Sequence, residues 1–133
     1  MYFDSPGAQN TEATLKIAIQ ACLERGIDHL VVASTTGATA KKALELIKDT
    51  KSKLVVVTHN YGFSEEGKCE FDPSVRKEIE EKGYKVHTGM LLTRNLGKAI
   101  VKKFGGASES ELVAGVLRIF CEGVKAVSYT HLR

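Results

Sequence analysis

Two short runs of unbroken apolar residues, His29–Ser34 (HLVVAS) and Leu54–Thr58 (LVVVT), stand on either side of a helix-patterned stretch. A strand with one wet face alternates apolar and polar residues, whereas a strand covered on both faces reads as a continuous run rich in β-branched side chains. Two such strands joined through a helix must lie parallel, because a hairpin leaves no room for the crossover. The pair therefore predicts a parallel sheet with helices packed against it.

The rest of the chain extends this alternation. Leu15, Ala18, Ile19, Cys22 and Leu23 form the i, i+3, i+4 stripe of a first helix that starts near Asn10 or Thr11 and stops at Gly26. Ala40, Ala43, Leu44 and Ile47 mark a helix over Ala40–Lys48. Asp72 before Pro73 is an N-cap followed by a favoured first helical residue, so a helix runs from Pro73 to Lys82 and Gly83 ends it. Tyr84–Thr88 is a third strand. Leu96, Ile100 and Phe104 give a further helix broken by Gly105 and Gly106, and Ser108 with Glu111 is a capping box for a helix through Phe120. Ala126 and Val127 begin what reads as a fourth strand. The class is α/β: a three-layer, doubly wound, mainly parallel sheet over residues 1–127. The last six residues, 128–133 (SYTHLR), resemble a translated adapter more than part of the fold. A sheet cut off after Val127 would expose an apolar strand edge, so homo-oligomers are expected.

The composition is that of an ordinary soluble domain: 133 residues, 26% charged and 43% hydrophobic. With a net charge of +3 and acids mixed among the bases, no single-sign field calls for nucleic acid or a membrane surface. Apolar runs of about five residues fall far short of the roughly 20 that span a bilayer. Cys22, Cys69 and Cys121 are odd in number and lack any CxxC spacing, which speaks for a reducing, cytoplasmic setting and against a disulfide framework or zinc site.

In an open parallel sheet, ligands sit beyond the carboxyl ends of the strands, where helix N-termini favour anions. After the first strand come Ser34, Thr35, Thr36, Gly37 and Thr39, four hydroxyls around one glycine, leading straight into a helix. They can donate to several phosphate oxygens, although such residues also serve simply to cap helices. His59, Asn60, His87 and Thr88 stand at the ends of the second and third strands, on the same side of the sheet. His59 and His87 are candidates for proton transfer, but no carboxylate stands at a diagnostic spacing, which favours hydrogen bonding within loops as their role. Gly62–Lys68 spells GxxxxGK, yet Cys69 replaces the magnesium-binding hydroxyl, Glu65 and Glu66 put negative charge in the loop, and the helix signal at Asp72 comes too late to reach the phosphates.

The stretch STTGATAKKALELIKD, between HLVVAS and KLVVVTHN, resembles the effector-loop region of the pyruvate kinase C-terminal domain. In that family Ser34, Thr35, Thr36, Gly37 and Thr39 match the turn that grips a phosphate of an allosteric sugar bisphosphate. Ala38 and His59 stand where arginines are expected, which removes positive charge. The opening Tyr2, Phe3, Pro6, Gly7, Asn10, Thr11 and Glu12, and the later GG.S..E segment, are similar to stand-alone, largely archaeal relatives of that domain, and the similarity extends to Val127. The resemblance implies a binding or regulatory domain for a phosphorylated metabolite or mononucleotide, with flavin mononucleotide (FMN) as a plausible occupant. The rival expectation is an enzyme using His59 or His87 in the same cleft.

A (β/α)₈ barrel takes roughly 200 residues or more, so the barrel that carries catalysis in pyruvate kinase has no counterpart here. Nor does the sequence show a metal-holding set beside a phosphate loop. Incubation with phosphoenolpyruvate, ADP and magnesium is expected to give no pyruvate above background; formation that scales with protein and vanishes in a Thr36→Val, Thr39→Val variant would overturn this reading.

Overall fold

The computed structural model describes residues 2–89 and 94–131. After a short 3₁₀ turn at Ala8–Asn10, the elements are α1 (Thr11–Arg25), β1 (His29–Ala33), α2 (Ala38–Ile47), β2 (Lys53–Thr58), α3 (Pro73–Glu81), β3 (Lys85–Thr88), α4 (Arg94–Phe104), α5 (Glu109–Phe120) and α6 (Glu122–His131). All three strands are parallel, in the order β1-β2-β3, with Val31 beside Val55 and Val57 beside His87. The α/β class and parallel sheet are those expected from the valine runs. The chain divides into two compact units, Met1–Thr88 and Gly89–Arg133.

In the first unit, α1 ends at Gly26 in the left-handed conformation, whose N–H bonds back to Cys22 and Leu23. Successive strand residues alternate in direction, so Leu30, Val32, Leu54, Val56 and Val86 face one side. They share a core with Leu15 and Ile19 of α1, Ala40, Ala43, Leu44 and Ile47 of α2, Ile79 of α3, and Phe71 just ahead of α3. Small alanines at Ala40 and Ala43, fully buried, let α2 lie close to the sheet. The run in β2 is buried at Val56, Val57 and Thr58, as a central strand requires. In β1, Val32 is buried, while Val31 and Ala33 lie on the other side of the strand. β1 is an edge strand, and α1 and α2 cover its even-numbered side.

The second unit, among its described residues, consists of helices alone. Ser108 caps α5 through the expected box, its hydroxyl accepting from Glu111 N while the Glu111 carboxylate accepts from Ser108 N at 3.0 Å. Residues 122–131 form α6, where the sequence pattern points to a fourth strand from Ala126 and a polar tail from Ser128. An apolar pair at Ala126 and Val127 is shorter than a typical strand, and the Cys121 thiol accepts from Val124 N at the first turn, helping to start a helix instead. Leu132 and Arg133 lie outside the described residues. Cys22 is buried, as its stripe predicts; Cys121 is exposed at the α5–α6 junction, and Cys69 is half-buried against the core.

Ile79 is fully buried between α3 and the sheet. Ile79→Ala is expected to lower unfolding free energy by about 3 kcal/mol through lost burial and the cavity left behind. Urea denaturation followed by circular dichroism measures it; a loss under about 1 kcal/mol would show that the core does not depend on α3.

Candidate functional site

Where β1 ends, the backbone turns into α2 through Ser34, Thr35, Thr36 and Gly37, and three bonds hold that turn to its neighbours. Ser34 N donates to Val57 O at 2.9 Å, Thr58 Oγ1 donates to Thr35 O at 3.2 Å, and Asp72 N donates to Thr36 O at 3.1 Å. The turn is thus tied both to the carboxyl end of β2 and to the start of α3. Gly37 is the N-cap of α2 with φ 107°, a left-handed conformation. An L side chain there is strained, and a Cβ would stand 3.2 Å from Val75 Cγ1.

The first helical N–H groups of a helix have no partner within it. Ser34, buried, accepts from Ala40 N at 3.3 Å, so its hydroxyl serves the helix start. Gly37 carries no side chain to cap the remainder. The N–H groups of Ala38 and Thr39 are therefore left for an acceptor from outside the helix, beside the exposed Thr36 and the half-buried Thr39. Of the predicted hydroxyl set, Thr36 is exposed and Thr35 and Thr39 are half-buried, while Ser34 and the backbone carbonyl of Thr35 are spent on structure.

His59 follows Thr58 directly and is held in place. Its Nδ1 lies 2.9 Å from Glu70 Oε2, and its ring packs 4.0 Å from that of Phe63, centroid to centroid. Glu70 comes two residues before Asp72, so the His59–Glu70 pair closes the root of the loop 59–71 whose two ends are bonded to the Thr35–Thr36 turn. Asn60 Nδ2 donates to Tyr61 O at 2.6 Å, while its buried Oδ1 has no hydrogen-bond partner among the described residues. The GxxxxGK segment is a self-contained turn: Gly62 N donates to Lys68 O, and Lys68 Nζ pairs with Glu65 at 3.0 Å instead of standing free for a phosphate.

The two histidines do not meet. His87 is exposed and registers beside Val57, on the sheet face opposite to Thr58 and Thr88. Thr88 instead receives a hydrogen bond from Arg76 Nη2, and Arg76 Nη1 donates to Val86 O at 3.3 Å while the guanidinium lies 5.7 Å from the Phe71 ring centroid. Arg76, Glu70 and Asp72 are the site-edge residues not legible as neighbours in the sequence, since only the folded loop closes the separation of 11 positions from His59 to Glu70. Asp72 was legible as a cap: its carboxylate accepts from Ser74 Oγ and Ser74 N, each at 2.7 Å, and these bonds, aided by the Lys41 charge, hold its pKa below the usual aspartate value. Among the described residues, no group of three or more His, Cys, Asp or Glu could hold a metal ion, and no helix is long and apolar enough to cross a membrane. No protein-family model matches the chain.

Gly37→Ala forces a side chain into the left-handed region and onto Val75. It is expected to cost about 1–2 kcal/mol of stability. Denaturant melts give the loss, and an unchanged midpoint would mean that the turn does not need glycine.

Proposed function

We propose that the chain is a cytoplasmic binding module for a phosphorylated small molecule, held at the N-terminus of α2, and that it belongs with the pyruvate kinase C-terminal-like domains it resembles. The observation that carries this reading is the open start of α2. The N–H groups of Ala38 and Thr39, uncapped by Gly37, lie beside the Thr36 and Thr39 hydroxyls, and backbone N–H groups and the helix dipole together favour an anion there. The affinity for phosphate then comes from hydrogen bonds and the dipole, with Lys41 the nearby charge that also acts on Asp72. FMN suits the same edge. Its phosphate would take the α2 terminus, and its ring would find Phe63 and Tyr61, both exposed on the loop after β2.

One feature favours a second reading, an enzyme that moves a proton. His59 has a carboxylate at 2.9 Å that orients its ring, as a general base requires. His87 has no such partner among the described residues, so His59 is the better catalytic candidate of the two.

Thermal melts with inorganic phosphate, sugar phosphates and FMN test both. A ligand at 100 times its Kd is expected to add about 2.7 kcal/mol of stability. Thr36→Val with Thr39→Val is expected to weaken binding by roughly tenfold or more in isothermal titration, at about 1 kcal/mol for each hydrogen bond lost, with the apo melting curve unchanged. Equal affinity in the double variant would remove this turn from the site. If a bound ligand is turned over and His59→Gln abolishes turnover without weakening binding, the catalytic reading replaces the binding one.

A further inference from the structure

Glu70 is the carboxylate that the fold brings to His59, and among the described residues it has no other charged partner. The two cations closest to it in sequence are engaged elsewhere: Lys68 pairs with Glu65 at 3.0 Å, and Arg76 reaches Glu80 at 3.4 Å, Val86 O and Thr88. The backbone of Glu70 is held from both sides, because Cys69 and Phe71 each pack against the core. His59 is fixed in the same way. It follows Thr58, whose hydroxyl bonds to Thr35 O, and its ring lies 4.0 Å from that of Phe63, inclined at 39°. Both members of the pair thus meet from anchored backbone.

The chemistry of the contact assigns its hydrogen. An ionised carboxylate only accepts, so the hydrogen in the 2.9 Å contact belongs to Nδ1 of His59. A neutral imidazole carries hydrogen on one nitrogen and a lone pair on the other, which puts the lone pair on Nε2. The other tautomer would set the Nδ1 lone pair against the carboxylate oxygen, two acceptors with no hydrogen between them. A hydrogen bond to a charged partner is about twice as strong as a neutral one, so the preference for Nδ1–H is large. Nε2 makes no hydrogen bond of its own among the described residues.

We propose that Glu70 is a positioning residue: it holds neutral His59 as the Nδ1–H tautomer and so makes Nε2 the atom at this strand end that accepts a hydrogen bond or a proton from a ligand hydroxyl. The proposal rests on the reading in which His59 moves a proton, and it names the atom that does so. The Nε2 lone pair takes the hydroxyl proton, the oxygen keeps the electron pair of the broken O–H bond, and the Glu70 charge stabilises the imidazolium that forms.

Long-range ¹⁵N–¹H correlation spectra of the ligand-free protein read the tautomer at the alkaline plateau of the ring's titration, with His59 identified by the signals lost in His59→Gln. His59 is expected to be almost wholly Nδ1–H, with His87, which has no carboxylate partner among the described residues, as the reference ring. Glu70→Gln keeps the shape of the side chain, but its amide can donate as well as accept. It is expected to move the tautomer ratio toward Nε2–H by roughly tenfold, whereas Glu70→Asp, which keeps the charge, retains most of the preference. A pair that only closed the loop would change the melting temperature in Glu70→Gln and leave the ratio where it was. An Nε2–H ring in the unaltered protein, or a ratio unmoved by Glu70→Gln, overturns the proposal. Because no ligand is added, either result is distinct from a failure to find turnover, which would count against proton transfer itself.

Discussion

The parallel pairing of β2 with both neighbours is the constraint on which the candidate site depends. β2 is the central strand, and its carboxyl end supplies two of the three bonds that hold the turn after β1: the Val57 carbonyl accepts from Ser34 N, and the Thr58 hydroxyl donates to Thr35 O. Because the strands are parallel, the ends of β1, β2 and β3 fall along one edge, which places the start of α2, the loop after β2 and the start of α3 there together. Thr58 is almost wholly buried, so its hydroxyl must find a partner inside the protein, and a buried unpaired hydroxyl would be costly. Bonding the adjacent turn meets that need and fixes the geometry of the site.

Few charges stand at this edge to favour the phosphate that is proposed there. Lys41 is one cation the structure brings to bear there, through its charge on Asp72. Asp72 directs its carboxylate to Ser74 at its own helix and gives the turn only its N–H. The negative group thereby sits close to the α2 start without capping it. Arg76 is committed to the end of β3 through Thr88 and Val86, where it satisfies backbone and hydroxyl acceptors at the last strand of the sheet.

The two units bury their residues in opposite ways. In the first, large apolar side chains fill the space between α1, α2, α3 and the sheet, and the helices turn charged residues outward. In the second, Gly97, Ser108, Ser110 and Ala114 are buried while Leu96, Phe104, Ile119 and Phe120 are exposed. Helices of this kind have little hydrophobic stabilisation of their own, since at about 25 cal/mol per Å² it is the large side chains whose burial contributes most.

Patterns with a local cause were legible in the sequence. Valine runs specify strands because β-branched residues suit a pleat, Gly26 ends α1 because only glycine takes the left-handed conformation freely, and Asp72-Pro73 and Ser108 with Glu111 start helices through bonds made within four residues. The hydroxyl turn at the α2 start was legible for the same reason. Where two readings are locally equal, as at Ala126 and Val127, pattern alone chose a strand and the fold a helix. That Glu70 reaches His59 and Arg76 reaches Thr88, and that His87 turns to the other face, were settled only by tertiary structure. Each depends on groups brought together across long stretches of chain, and the energy that places them comes from packing and closure of the whole sheet, which no short window of residues contains.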